Sequence, residues 1–245
     1  MLPADLLEHY ESFSQLASEF GGHENEWLSA IEREERLHWR NSSRQMMWTW
    51  GRIVSKRLIL KAMPESHEID PRDISICSRD NRGRGISPRV SVQGTPWNGC
   101  LSISHTNRAV YVAWLPGMAQ GIGVDLVDQQ SGSFTSQSMK PWFTIEEQQQ
   151  LPSGDRFSSL RYWAAKEAAF KACSHPGMRF VPRKICLLET SATDFSAECQ
   201  HNLERQSCRV VLREQDEHFL AIALTESLLT RQQDRSLELR LQATV

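Results

Sequence analysis

The chain has 245 residues, 40% of them apolar and 24% charged, with a formal net charge of −2. That is an ordinary soluble balance, with material for one large domain or two small ones, and the net charge by itself indicates no partner. No stretch is apolar enough to span a membrane, no N-terminal apolar run resembles a signal peptide, and the six cysteines (Cys77, Cys100, Cys173, Cys186, Cys199, Cys208) form no CxxC pair and no metal-ligand spacing with histidine, so free thiols in a reducing cytoplasm are the simplest account.

Residues 1–25 carry weak signals and are expected to form a helix and a loop. The spacing predicts helices over 26–39 and 43–62. The second has Met46, Met47, Trp50, Ile53, Val54 and Leu58 near helical spacing, and Pro64 ends it. Arg33, Arg36, Arg40, Arg44, Arg52, Lys56, Arg57 and Lys61 crowd this region, and from Arg44 on no acidic residue occurs until Glu65. The patch reads either as a place for phosphate groups or an acidic protein surface, or as a solvated helix face. The period then changes: Ile74-Ser75-Ile76 and Val90-Ser91-Val92 alternate, with a Gly- and Arg-rich loop from Asn81 to Pro88 between them. Leu101 to Ser104 and Val110 to Trp114 predict paired strands joined across His105-Thr106-Asn107-Arg108, and Gly121 to Val127 predicts another. Helices are expected over 144–151 and 156–174, with Gly177 as a stop signal. Strands are expected over 184–190, 207–213 and 218–225, and the tail from Gln232 is polar. This order predicts an α+β fold of two similar halves, 1–120 and 121–245, meeting near Gly121, although no direct sequence repeat links them.

Four short segments carry chemistry. In Gly121-Ile122-Gly123-Val124-Asp125-Leu126-Val127-Asp128, strand alternation puts Ile122, Val124 and Leu126 on a buried face and Gly123, Asp125 and Val127 on the other. An aspartate in so apolar a strand is either paired, metal-bound or capping a turn. On the helix over 156–174, Trp163, Glu167 and Lys171 share one face beside an apolar stripe of Phe157, Leu160, Ala164 and Ala168. Glu167 and Lys171 read alternatively as a surface ion pair. His105, flanked by small hydroxyl residues, is placed either to meet a phosphate or as an ordinary turn histidine. Thr144 and Glu147 fit a helix capping box, and a catalytic role for Glu147 would be an addition to it.

Together, Ser102-Ile103-Ser104-His105, Gly123-Val124-Asp125, Phe143-Thr144-x-x-Glu147 and Trp163-x-x-Lys166-Glu167-Ala168-x-x-Lys171 resemble the 4′-phosphopantetheinyl transferase superfamily. The length resembles its larger, monomeric surfactin-type members, and Trp50-Gly51-Arg52-x-x-x-Lys56 resembles their Gly-Arg helix. The resemblance covers about residues 40–190. It implies a small antiparallel sheet packed on a long helix in each half, with the site between. It implies Mg2+-dependent transfer of the phosphopantetheine arm of coenzyme A to a serine of an apo acyl or peptidyl carrier protein, releasing adenosine 3′,5′-bisphosphate. No nucleic-acid or membrane partner is implied. By resemblance, Asp125 and Glu167 are the metal carboxylates, His105, Lys166 and Lys171 contact coenzyme A, Arg44 or Arg52 holds its 3′-phosphate, and Glu147 or a metal-bound water is the base. Many surfactin-type members carry a third carboxylate two residues after the first. Val127 stands there, which favours a two-carboxylate site, with water taking the third place. A carrier-binding member with a decayed site is the alternative, favoured by Val127 alone. Ser131 to Phe143 is expected either to dock the carrier, with Lys140 at its rim, or to be a connection whose Trp142 and Phe143 fill the core.

Overall fold

The computed structural model describes residues 2–63, 69–80, 82–117, 121–131, 135–151, 154–174, 178–201 and 204–225. The first three α-helices start at side chains that accept an otherwise orphaned backbone N–H. Helix α1 (Phe13–Phe20) has a Ser12/Gln15 capping box, α2 (Ala30–Leu37) a Ser29/Glu32 box, and α3 (Ser42–Ala62) is capped by Asn41. The predicted helix over 26–39 therefore begins later, at the Ser29 cap. Met63 is extended, as the residue before a proline is required to be. The weak N-terminal segment is not only helix and loop: Leu7–Ser12 form strand β1, paired antiparallel with β6 (Ala109–Pro116). Its partner lies a hundred residues away, so no local signal reveals it.

Strand β5 (Gly99–His105) completes a sheet of order β1-β6-β5. Strands β2 (Ile74–Arg79), β3 (Gly85–Val92) and β4 (Thr95–Pro96) form a second. Part of the predicted 81–88 loop is thus strand. Pro88 is tolerated because the β2–β3 register shifts beside it and β4 reaches only Ser91 and Val92. After Gly121, β7 (Ile122–Asp128), α4 (Ser136–Met139), α5 (Ile145–Gln150), α6 (Arg156–Cys173), β8 (Ile185–Glu189), β9 (Asp194–His201), β10 (Glu204–Gln215) and β11 (His218–Thr225) follow, and the strands order as β7-β11-β10-β9-β8, all antiparallel. Strand β9 went unread in the sequence, although Phe195, Ala197 and Cys199 alternate with polar residues and are buried; two of the three are small, which makes the alternation inconspicuous. The stop at Gly177 and the tail from Gln232 lie outside the described residues.

The fold is α+β, and its apolar faces make four layers. Val110, Val112 and Trp114 of β6 face α3 with Trp50, Ile53 and Val54. Ala109, Tyr111 and Ala113, on the opposite face of β6, meet Ile122, Val124 and Leu126 of β7 and Leu220, Ile222 and Leu224 of β11. The far face of that second sheet, with Val127, Phe219 and Ala221, packs on Leu160, Ala164 and Ala168 of α6. Each long helix thus covers one sheet, and the two sheets pack on each other.

One constellation occurs twice. Trp27-Leu28-Ser29-x-x-Glu32 precedes α3, and Trp142-Phe143-Thr144-x-x-Glu147 precedes α6. Each glutamate closes a capping box, accepts the N–H of a strand residue beyond the long helix (Ile76 for Glu32, Leu187 for Glu147), and pairs with a buried lysine. Lys56 lies 2.5 Å from Glu32 and Lys166 lies 2.6 Å from Glu147. Each ammonium also donates to the carbonyl of a proline opening a 3-10 turn, Pro71 or Pro182. The short sequence match between the two segments, not singled out in the reading of the chain, is therefore accompanied by the same three-dimensional contacts.

Candidate functional site

Asp125 lies in mid-β7, where its carboxylate points toward α6. That helix comes unusually close because β7 has no Cβ at Gly121 and Gly123. A Cβ on Gly123 would sit 2.0 Å from the Ala168 carbonyl oxygen, and one on Gly121 would sit 2.1 Å from that of Ala172. The approach brings Lys171 Nζ to 2.8 Å from Asp125 Oδ1, 2.9 Å from the Val124 carbonyl oxygen and 3.8 Å from Glu167 Oε2. Ser104 donates to Asp125 Oδ1 at 2.8 Å. Trp163, Glu167 and Lys171 all line a cavity of about 870 Å³, together with Asp125, His105 and Arg108. That is the size of a site for a sizeable small-molecule ligand. A second cavity of about 360 Å³, lined by Trp48, Gly51, Arg52 and Ser78, shares His105 and Lys171 with the first.

The electrostatics are those of crowded acids around one cation. Burial, and then the Asp125 charge beside it, push Glu167 up to about 8. Burial works against charge on Lys171, but Asp125 and Glu167 outweigh it, and its pKa is raised. Burial and the Lys171 charge lower His105, favouring a neutral ring. Two carboxylates from different elements converge and share the Lys171 ammonium, and hard oxygen donors of this kind suit a hard divalent ion. Val127 is buried on the same face as Asp125 and lines the cavity, so the position beside Asp125 is apolar. Asp128 pairs with Arg108 at 3.0 Å.

The structure brings Asp125, Glu167, Lys171 and His105 together. It does not bring Glu147 or Lys166 to them. Both are enclosed in the Glu–Lys pair on another side of α6, with Glu147 1% and Lys166 0% exposed, so neither is placed to serve as base or coenzyme contact. Arg52 is likewise committed: it is buried, stacks 4.5 Å over Trp48, donates to Ser78 and pairs with Glu35 at 3.7 Å. Arg44 is exposed in the first turn of α3, and its charge reaches His105. Within the basic patch, Lys56 pairs with Glu32, and Arg57 pairs with Glu11 at 2.9 Å, so with Arg52 three of its eight cations are paired with acids distant in sequence. Met139 and Phe143 are buried and Trp142 packs 4.4 Å from Trp163, so this end of the expected docking segment fills the core; Lys140 is exposed, and Gly132 to Phe134 lie outside the described residues. Ser102 and Ser104 were quoted only as part of a motif, yet they contact β7 directly. Their strand alternation with apolar Leu101 and Ile103 was the available signal.

Among the described residues, one further group brings three ligand-type atoms together. The sulfurs of Cys173, Cys199 and Cys208 lie within 4.8 Å of one another in the α6 core. Hydrogen bonding to Cys173 pushes up both the Cys199 and the Cys208 thiol, and burial adds to it. Neutral thiols in an apolar core pack as small hydrophobes.

The α+β fold thus brings two carboxylates together at a glycine-permitted helix–strand contact. Residues 121–223 match the sequence model of the 4′-phosphopantetheinyl transferase superfamily, and the resemblance read from the motifs holds for that segment at the level of the superfamily, not of the surfactin type. Phosphopantetheine transfer is the general activity of that superfamily. His105 and the Gly51-Arg52 helix lie before the matched segment. No curated protein matches the chain.

Proposed function

We propose that this chain transfers the 4′-phosphopantetheine arm of coenzyme A to a serine of an apo carrier protein, with a magnesium ion held by Asp125 and Glu167. The reading divides the chain at Gly121 into an N-terminal half, 1–120, and a C-terminal half, 121–245. The observation that carries it is the convergence of Asp125 and Glu167, from β7 and α6, on the Lys171 ammonium inside the cavity. Magnesium supplies charge neutralisation at the pyrophosphate as the leaving group departs. Lys171, cationic and anchored by the Val124 carbonyl, adds an ammonium to the same wall of the cavity, beside the transferring phosphate. His105, at the junction of the two cavities, presents a neutral ring nitrogen to a phosphate oxygen. Arg44, exposed near His105, is better placed than Arg52 for the 3′-phosphate, because Glu35 and Glu32 already neutralise Arg52. The acceptor serine enters from the open side of the cavity, and its proton goes to a group there and not to the enclosed Glu147.

The test is to incubate the protein with coenzyme A, magnesium and a panel of apo carriers from fatty-acid, polyketide and nonribosomal-peptide systems. A mass gain equal to the phosphopantetheine arm on one of them is expected. Coenzyme A binding with no transfer to any carrier would instead identify a non-catalytic carrier-binding protein.

A further inference from the structure

Strands β5 and β7 lie side by side at the edges of two different sheets, and hydroxyl groups link them. Ser102 Oγ accepts the Val124 N–H at 2.9 Å, and Ser104 Oγ accepts the Leu126 N–H at 3.2 Å. Both serines are buried. Two unpaired strand edges would otherwise leave these buried donors unsatisfied away from water. The two serines are not equivalent. Ser102 meets only the β7 backbone in this seam. Ser104 also donates to Asp125 Oδ1 at 2.8 Å and lies 3.2 Å from Lys171 Nζ. A hydroxyl has one proton to give. With that proton on Asp125, the Ser104 oxygen lone pairs face the Leu126 N–H and the Lys171 ammonium. Its position is therefore fixed by three groups at once.

We propose that Ser104 is a positioning residue for the phosphopantetheine-transfer site: it fixes the Asp125 carboxylate so that its other oxygen is directed at the ion, while Ser102 serves the strand seam alone. The inference rests on the magnesium reading above for its functional consequence, but the orientation of Asp125 is independent of it. Groups that orient a metal-binding carboxylate change affinity by about 10–100-fold when removed.

The test compares Ser104→Ala, Ser104→Thr and Ser102→Ala with the parent protein, by calorimetric titration with Mg2+ and by the crystal structure of each metal-free variant. Ser104→Ala is expected to weaken Mg2+ binding at least ~10-fold, with Asp125 turned from its parent position, and Ser104→Thr, which keeps the hydroxyl, to restore most of the affinity. Ser102→Ala is expected to lower the melting temperature and leave Mg2+ affinity unchanged. Equal loss of affinity in Ser102→Ala and Ser104→Ala would overturn the proposal, because the seam would then act as a unit. If the parent protein takes up no Mg2+, the magnesium reading fails. The positioning claim is then decided by the structures: a displaced Asp125 in Ser104→Ala supports it, and an unmoved one overturns it.

Discussion

Three acids that looked similar in sequence behave differently because of their surroundings. Asp125 and Glu167 face each other across one ammonium in an open cavity, whereas Glu147 is consumed by Lys166, a capping N–H and the Leu187 N–H. Asp125→Ala or Glu167→Ala should cut transfer by at least ~10²-fold, the scale of losing one preorganised electrostatic group; normal turnover in a folded variant would overturn the assignment. Lys166→Met should instead destabilise the fold by about 3–5 kcal/mol in urea unfolding, since it strands a buried carboxylate. Glu167 also gives the metal-free protein a pH dependence. Burial and Asp125 raise its folded-state pKa from 4.5 to about 8. Between those values the native state holds a proton that the unfolded chain has lost, so stability declines as pH rises through the window. Melting temperatures measured in chelator should fall across it, and Glu167→Gln should flatten that slope; parallel slopes in both proteins would count against the shift.

At the scale of elements, the same Glu–Lys construction anchors α3 and α6, yet among the described residues it is α6 that borders an open carboxylate pair. The residue after the boxed lysine decides this. After Lys166 comes Glu167, facing Asp125 of β7; after Lys56 comes Arg57, which forms two contacts of 2.9 and 3.0 Å with Glu11 of β1. The position after the paired lysine is thus closed by an ion pair on α3 and faces the cavity on α6. The contact between α6 and β7 depends on Gly123. Gly123→Ala would place a methyl 2.0 Å from the Ala168 oxygen and 2.5 Å from the Ala172 nitrogen, so the helix must move. Overpacking of this kind destabilises by about 1–3 kcal/mol, and transfer should fall with it, because Glu167 and Lys171 ride on the displaced helix. Gly85→Ala, with nothing within 4 Å of its Cβ, is the control. Equal stability and activity in the two variants would show that the close approach is not needed.

At the scale of the whole molecule, the two sheets are joined by the apolar layer between β6, β7 and β11 and by the serine seam, and these contacts are made by protein groups alone. Chelation should therefore abolish transfer and leave the circular dichroism spectrum intact. Restoring magnesium to ~100 times its dissociation constant should stabilise the protein by about 2.7 kcal/mol, seen as a rise in melting temperature of roughly 5–10 °C. Unfolding on chelation would mean that the ion is a structural element. Among the described residues, no helix is long and apolar enough to cross a membrane.

The sequence by itself determined what depends on local order. Helical spacing and caps located α3, α5 and α6 to within a residue or two, and alternation located β5, β6, β7 and β11. The order of the Ser-His, Gly-Val-Asp and Lys-Glu-Ala segments was enough to indicate the superfamily that residues 121–223 match and to single out Asp125 and Glu167, which the fold places beside each other. Tertiary structure decided what depends on groups far apart in the chain. It made β1 a strand by pairing it with β6, and it put Arg52, Lys56, Glu147 and Lys166 inside. Whether a charged side chain meets a ligand or a buried partner is set by which opposite charge folds against it. For Lys56 that partner is Glu32 and for Lys166 it is Glu147, and neither pair has a spacing that sequence periodicity can report.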